Sequence, residues 1–295
     1  MTFVMKTKIL TLLCIIMLGG LMFSCSKDDD NDINPVNVPS AVMSAFNQAY
    51  PNTSAKWSLN DNYYVAEFGN DNNEVDVWFT SEGTIMLTVR EMPASELPQA
   101  IKTAIQETKY AAWKIDDVNL IQRKGFENLY KVEMDDLKSD NEVTLYYTTS
   151  GVLVKEVPEI DNTPVTPVVI PQKMIDQINI YFPKNGYTIV DYDYESSTKT
   201  YEVDIIEDNI AIEIVFDNNQ TLYYWQWETT FAKVAPNVQT AFKNLGYTES
   251  QIDDIYFRQT PNASPRENVT SYIFELEING IDKTVILNEN GAVIG

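Results

Sequence analysis

Marked as hydrophobic and polar positions, the chain shows one pattern four times over. Each round opens with an apolar residue and a proline: Val38-Pro39-Ser40-Ala41-Val42, Leu97-Pro98-Gln99-Ala100-Ile101, Ile170-Pro171-Gln172-Lys173-Met174 and Val234-Ala235-Pro236-Asn237-Val238. Proline suits the first turn of a helix, where its missing N–H would have no partner anyway. Apolar residues then fall three and four apart. They are Val42, Ala45, Phe46 and Ala49; Ile101, Ala104 and Ile105; Met174, Ile175 and Ile178 with Tyr181-Phe182; and Val238, Ala241, Phe242 and Leu245. That spacing predicts four helices, each with one apolar stripe for a sheet.

Behind each predicted helix the period drops from 3.6 to 2. In the third round, runs of strand character cover 188–194, 200–206, 210–216 and 222–227, and Tyr201, Val203 and Ile205 alternate with Glu202 and Asp204. Such alternation describes a sheet with one buried and one wet face. Each round closes on a tight hairpin: Phe79-Thr80-Ser81-Glu82-Gly83, Tyr147-Thr148-Thr149-Ser150-Gly151 and Leu287-Asn288-Glu289-Asn290-Gly291. The third hairpin, Phe216-Asp217-Asn218-Asn219-Gln220, has no glycine, and Asn219 is the residue expected to take its left-handed position. The fold class expected is α+β, with four tandem repeats of one helix plus a four-stranded antiparallel sheet.

Three prolines in 157–167 block both helix and central strand, so a linker over 158–169 is expected between a first two-repeat domain at 38–157 and a second at 170–295. Ahead of them, residues 1–24 carry Lys6 and Lys8, then an uncharged apolar run from Ile9 to Phe23, then Cys25. A basic start and an apolar run too short to span a membrane describe a secretory signal. Met22-Phe23-Ser24-Cys25 resembles the lipobox of bacterial lipoproteins, which implies lipidation of Cys25 and attachment to a membrane through that anchor alone. Residues 25–37 continue with Asp28-Asp29-Asp30 and are expected to be an acidic, disordered tether. That acidic run resembles the signal by which some gut Gram-negative bacteria carry lipoproteins to the outer face of the outer membrane; a periplasm-facing lipoprotein is the alternative.

Composition narrows the chemistry. Formal net charge is −22, which argues against nucleic-acid partners. Cys14 falls in the signal, so with Cys25 lipidated no disulfide is expected. The chain has no histidine, which excludes Ser-His-Asp triads, Cys-His pairs and His-based zinc sites together. Phosphate-binding glycine motifs are missing as well. Pairs such as Asp116-Asp117, Asp135-Asp136 and Asp253-Asp254 read more simply as solvated positions than as glycosidase carboxylates. The expectation is a protein that is no enzyme and uses no cofactor or metal.

The proline-led helix of Leu97-Pro98-Gln99-Ala100-Ile101, the strand Tyr130-Lys131-Val132-Glu133 and the hairpin Tyr147-Thr148-Thr149-Ser150-Gly151-Val152-Leu153 resemble the PepSY-like, beta-lactamase-inhibitor-like periplasmic domains of gut bacteria. The resemblance covers the body after the tether as two copies of a two-repeat domain. It implies a binding or inhibitory module with a protein partner, engaged through open sheet faces, and it brings no catalytic residues.

One stretch stands out as a candidate contact surface. In Leu222-Tyr223-Tyr224-Trp225-Gln226-Trp227, plain alternation with Leu222 and Tyr224 facing the helix turns Tyr223, Trp225 and Trp227 together to the helix-free face. The counterparts in the first repeat are Met86, Thr88 and Arg90. Such a triplet is either a partner surface or a lining between two sheets, and a glycan stacked on Trp225 and Trp227 is the alternative to a protein partner.

Overall fold

The computed structural model describes residues 36–69, 73–139, 141–262 and 268–295. The signal, most of the tether and Cys25 lie outside the described residues. Among those described, four α-helices and two antiparallel sheets make up the architecture. Helix α1 (Ser40–Ala49) is followed by β1 (Lys56–Asn60), β2 (Tyr63–Phe68), β3 (Val75–Phe79) and β4 (Ile85–Glu91). Helix α2 (Gln99–Gln106) is followed by β5 (Lys114–Arg123), β6 (Leu129–Asp135), β7 (Glu142–Thr148) and β8 (Leu153–Val157). These eight strands form one sheet in sequence order.

The second sheet has seven strands, again in sequence order. Helix α3 (Gln172–Tyr181) precedes β9 (Tyr187–Glu195), β10 (Thr200–Glu207), β11 (Ile210–Phe216) and β12 (Leu222–Glu228). Helix α4 (Pro236–Asn244) precedes β13 (Ile252–Thr260), β14 (Val269–Ile278) and β15 (Ile281–Asn288). After α4 the fourth strand is reduced to a single bridge between Leu287 and Val293, so the last unit differs from the four-stranded pattern.

The helices are only 8 to 10 residues long, too short to be stable alone, and their stability comes from the stripe they bury. Each inserts two residues one turn apart: Val42 and Phe46, Ile101 and Ile105, Met174 and Ile178, Val238 and Phe242. Pro39, Pro98 and Pro171 stand just before the first helical residue, and Pro236 within it. Each helix fills its own core cluster against its own strands.

The hairpin tips press on the helices. Gly83 (φ +84°) and Gly151 (φ +85°) lie so close to the first turns of α1 and α2 that an added Cβ would stand 2.6 Å from the Ala41 carbonyl oxygen and 2.8 Å from that of Ala100. In the third unit Gln220, not Asn219, takes the left-handed position (φ +58°). The tip is held there by side chains: Lys173 Nζ donates to the Asn219 carbonyl at 2.7 Å and Gln177 Nε2 to the Gln220 carbonyl at 2.8 Å, while Leu222 N donates to Gln177 Oε1 at 2.9 Å. Gly151→Ala is expected to cost at least 1–2 kcal/mol from backbone strain alone, with the carbonyl contact added, read as a lower urea midpoint. An unchanged midpoint would show that this tip does not bear on α2.

A fifth apolar cluster joins the sheets on their helix-free sides, with Val65, Trp78, Leu87, Ile121, Leu129 and Tyr146 from the first meeting Val190 and Ile206 from the second. Arg123 Nη1 pairs with Asp191 Oδ1 at 2.6 Å, and Glu127 N donates to the Ile189 carbonyl at 2.6 Å. The proline-rich segment 158–169 has no helix or strand, yet it is inlaid on the first sheet. Asp161 N donates to Thr144 Oγ1 at 2.8 Å, Thr144 Oγ1 to the Glu159 carbonyl at 2.9 Å, and Tyr146 OH to Asp161 Oδ2 at 2.9 Å. Val165 joins the cluster between the sheets.

Candidate functional site

The aromatic strand β12 begins beside the third hairpin, and the hairpin sets its phase. Val215 pairs with Tyr224 and Phe216 with Leu222, so Tyr223 is an extra residue without a cross-strand partner. One inserted residue reverses the facing of every residue after it. The same irregularity leaves Met86 over in β4 and Val154 in β8. Leu222, Trp225 and Trp227 therefore all join the core under α3, and Tyr224 and Gln226 turn to the helix-free side.

The expected outward triplet of Tyr223, Trp225 and Trp227 is corrected accordingly. Trp225 is 3% exposed, its ring 4.7 Å from that of Tyr181 and 5.9 Å from that of Phe182. Trp227 is half-buried, with its ring 4.6 Å from that of Phe257. Tyr223, at the bulge, is exposed.

Trp225 and Trp227 nevertheless share a cleft of about 280 Å³ on the helix side of the second sheet. Tyr181 and Phe182 at the end of α3 form one wall and Ile210 and Ile212 of β11 another; Glu207, Asp208, Gln259 and Asn268 supply the polar groups. Asp208 and Asn209 have φ of +50° and +62°, the left-handed pair of a two-residue hairpin that brings Asp208 to the edge of the cleft. Burial, then the charge of Asp208, pushes the Glu207 carboxyl above the usual carboxylate range. Glu207 and Asp208 escaped the sequence reading because an acidic hairpin tip looks like any solvated turn.

The helix-free face of the same sheet carries a polar network. The Arg258 guanidinium lies 3.9 Å from the Tyr224 ring centroid and donates from Nε and Nη2 to Gln226 Oε1 at 2.9 and 2.7 Å. Gln226 Nε2 donates in turn to Glu213 Oε1 at 3.1 Å. Glu202 and Asp204 share this face, as their pairing with Val215 and Glu213 requires. Burial, with Glu213 next, raises Asp204 well above its ordinary range and Glu202 to about 7. Burial also raises Glu213, against the opposing effects of Gln226 and Arg258. A second cavity, about 250 Å³, is lined by Glu74, Asp76, Val89, Glu91, Asp117 and Asn119. Burial and the charges of Glu67 and Glu74 raise Asp76 there to about 6. Among the described residues no group of three or more His, Cys, Asp or Glu is placed to hold a metal ion.

Proline-led helices, each backed by an antiparallel sheet, and tight hairpins that press on them define the class of protein, an α+β module. The chain belongs to the beta-lactamase-inhibitor-like, PepSY-like family, whose profile matches residues 26–71, 62–155 and 158–223. Among solved structures it is similar to a BLIP-like protein from Bacteroides fragilis, at 31% identity over 44% of this chain and 94% of that one, TM-score 0.38. It is also similar to a DUF2874 family protein from Bacteroides ovatus, at 25% identity over 43% of this chain and 93% of that one, TM-score 0.38. A DUF2874 family protein from Bacteroides uniformis matches at 21% identity over 40% of this chain and 88% of that one, TM-score 0.37. No curated protein matches.

Proposed function

We propose that the chain is a non-enzymatic lipoprotein of the cell envelope, made of four related helix-and-sheet units in two domains, that binds a protein partner and inhibits it where that partner is an enzyme. Family membership supports the inhibitory side of the reading, since the family is described as beta-lactamase-inhibitor-like. The observation that carries the binding role is the cleft between α3 and the strands β11 to β14: it has aromatic walls, a polar rim and, among the described residues, no nucleophile-base pair. The contact surface is moved there from the open sheet faces, because the helix-free faces meet each other through Val190 and Ile206. Cross-linking from a reactive group placed at Ile210, which is 44% exposed at the cleft mouth, is expected to trap one envelope protein reproducibly. Equal yield from a group placed at Leu137, 78% exposed in the turn between β6 and β7 of the other sheet, would sink the assignment of this surface.

Attachment is assigned to Cys25, with the acidic run Asp28-Asp29-Asp30 directing the protein to the outer face of the outer membrane. Among the described residues no helix is long and apolar enough to cross a membrane. Each buried methylene of an acyl chain contributes about 0.8 kcal/mol, and several chains on one residue hold firmly. Cys25→Ala is expected to move the protein to the soluble fraction and abolish labelling by a lipid precursor. Persistence in the membrane fraction with label retained would remove the anchor.

A further inference from the structure

The seam between the two sheets is lined with charge on the side of the second sheet. Direct cross-strand pairing sets Asp191, Asp204, Glu213, Gln226 and Arg258 abreast on β9 to β13. Asp204 stands in the middle with a carboxylate directly opposite on either side, and like charges so placed repel. The next row sets Glu202 opposite Asp193. The cations near the row are engaged elsewhere: Arg258 donates to Gln226, and Arg123, from the first sheet, pairs with Asp191 at 2.6 Å. Lys155 and the Tyr146 hydroxyl, also of the first sheet, are turned to Asp161 at 3.8 and 2.9 Å. Farther along, Glu228 of β12 meets the charges of Asp254 in its own sheet and of Glu156 in the other. Glu156 is itself held by Lys109 Nζ and the Tyr110 hydroxyl at 2.8 and 2.7 Å. Tyr224 beside Glu213 and Tyr256 beside Glu228 are phenols that burial pushes up.

The seam itself is modest. The second sheet gives Val190 and Ile206 to the apolar cluster, and the polar ties across include the Arg123–Asp191 pair and the Glu127 N–H on the Ile189 carbonyl. Arg123 Nε also donates to the Thr166 carbonyl at 3.3 Å, which fixes the connecting segment to the first sheet as far as Thr166. Residues 167–171 then cross to α3 without helix or strand, and Val169 among them is 65% exposed. Relative motion is the default where the interface between packed units is small.

We propose that the two halves of the molecule form a clasp, closed at mildly acidic pH, that opens about residues 167–171 as pH rises and exposes the apolar face of Trp78, Leu129 and Tyr146. The driving force is hydration. Asp204 lies two residues from Ile206 on the face that the first sheet covers. Burial pushes Asp204 well above its ordinary range and Glu228 up to about 8, in each case ahead of the neighbouring charges. The closed form therefore keeps protons that an open, hydrated form releases, and the balance moves toward the open form as pH rises from the ordinary carboxylate range to about 8. Opening also separates Glu228 from Glu156. Arg123 and Lys155 oppose it less, being engaged with Asp191 and Asp161.

Small-angle scattering and hydrogen exchange of the full chain, each at low salt near pH 5 and near pH 8.5, test the clasp. A larger radius of gyration is expected at the higher pH. Exchange at the Glu127 amide and around Val190 and Ile206, corrected for the intrinsic rate, is expected to quicken about tenfold or more. Amides of strands under the helices, at Val132 and Ile214, should keep their protection, which separates opening from unfolding. Asp204→Asn/Glu228→Gln is expected to stay closed near pH 8.5, with the same core protection showing that it is folded. Equal dimensions and equal exchange of the parent chain at the two pH values overturn the proposal, whether or not the variant folds. So does loss of core protection together with the seam, or a double variant that opens as the parent does.

Discussion

Trp225→Ala is expected to cost about 3–5 kcal/mol of stability, the range for removing a large aromatic from a packed interior. The indole is 3% exposed and sits among Met174, Ile178, Phe182, Ile212 and Ile214, with Tyr181 tilted against it at 4.7 Å. Its loss would leave the inner end of α3 facing a cavity, and so short a helix has little stability of its own to hold it in place. Two neighbours serve as controls. Tyr223→Ala, at a position 58% exposed and unpaired at the bulge, is expected to stay within about 0.5 kcal/mol. Trp227→Ala, half-buried against Phe257, should fall between the two. Urea unfolding reads all three as midpoint shifts at unchanged slope. A change of under 1 kcal/mol at Trp225 would mean that β12 keeps plain alternation from Leu222 and that the bulge is misplaced.

That contrast also marks where the sequence stops being legible. The helices were readable because a proline and two apolar residues four apart are local signals, and all four appear where those signals stand. In the third unit the strands fall at Tyr187–Glu195, Thr200–Glu207, Ile210–Phe216 and Leu222–Glu228, within a residue of the expected runs, because alternation is local too. The facing of Trp225 depends instead on whether residue 223 is paired, and hairpin geometry decides that. Nothing in Tyr223-Tyr224 shows it, though the equivalent Met86 of the first unit carries the same irregularity. Alternation also assigned Glu202 and Asp204 to a wet face. They do leave the helix-side core, but Lys155 of the other sheet approaches Glu202, and only the packing of two distant segments brings them together. The inlay of Asp161 on Thr144 and Tyr146 was hidden for the same reason: prolines tell where regular structure ends, not where the chain then lies.

Between pH 5 and 8.5 the fold is expected to lose stability steadily, by roughly 2–5 kcal/mol in total. Three carboxyls set the window: Asp76 is raised to about 6, Glu202 to about 7 and Glu228 to about 8. In each the first cause is burial. Repulsion follows, from Glu67 on Asp76, from Glu213 on Glu202 and from Asp254 on Glu228. Between the ordinary carboxylate value and the raised one, the folded chain holds a proton that the unfolded chain has released. The folded state therefore binds more protons, and stability falls as pH rises, by about 1.4 kcal/mol per pH unit for each such group while its window lasts. Solvent screening of the partly exposed groups brings the sum down to a few kcal/mol. Asp204, Glu213 and Asp193 are raised as well and act in the same direction. At the acid end the sign reverses. Burial acts to raise Asp161, but hydrogen bonds from Thr163 and Tyr146 and the charge of Lys155 outweigh it and hold the carboxyl low, so its contribution is lost as pH falls below about 4. Stability should thus peak near pH 4–5.5. Urea midpoints taken at unit steps from pH 3 to 9 measure the curve. Replacing Glu202 and Glu228 with Gln should flatten its alkaline limb, because neutral amides have no proton to lose. A profile that rises from pH 5 to 8, or a slope unchanged in that double variant, would show that these carboxyls are ionised without penalty and that water reaches the face they share.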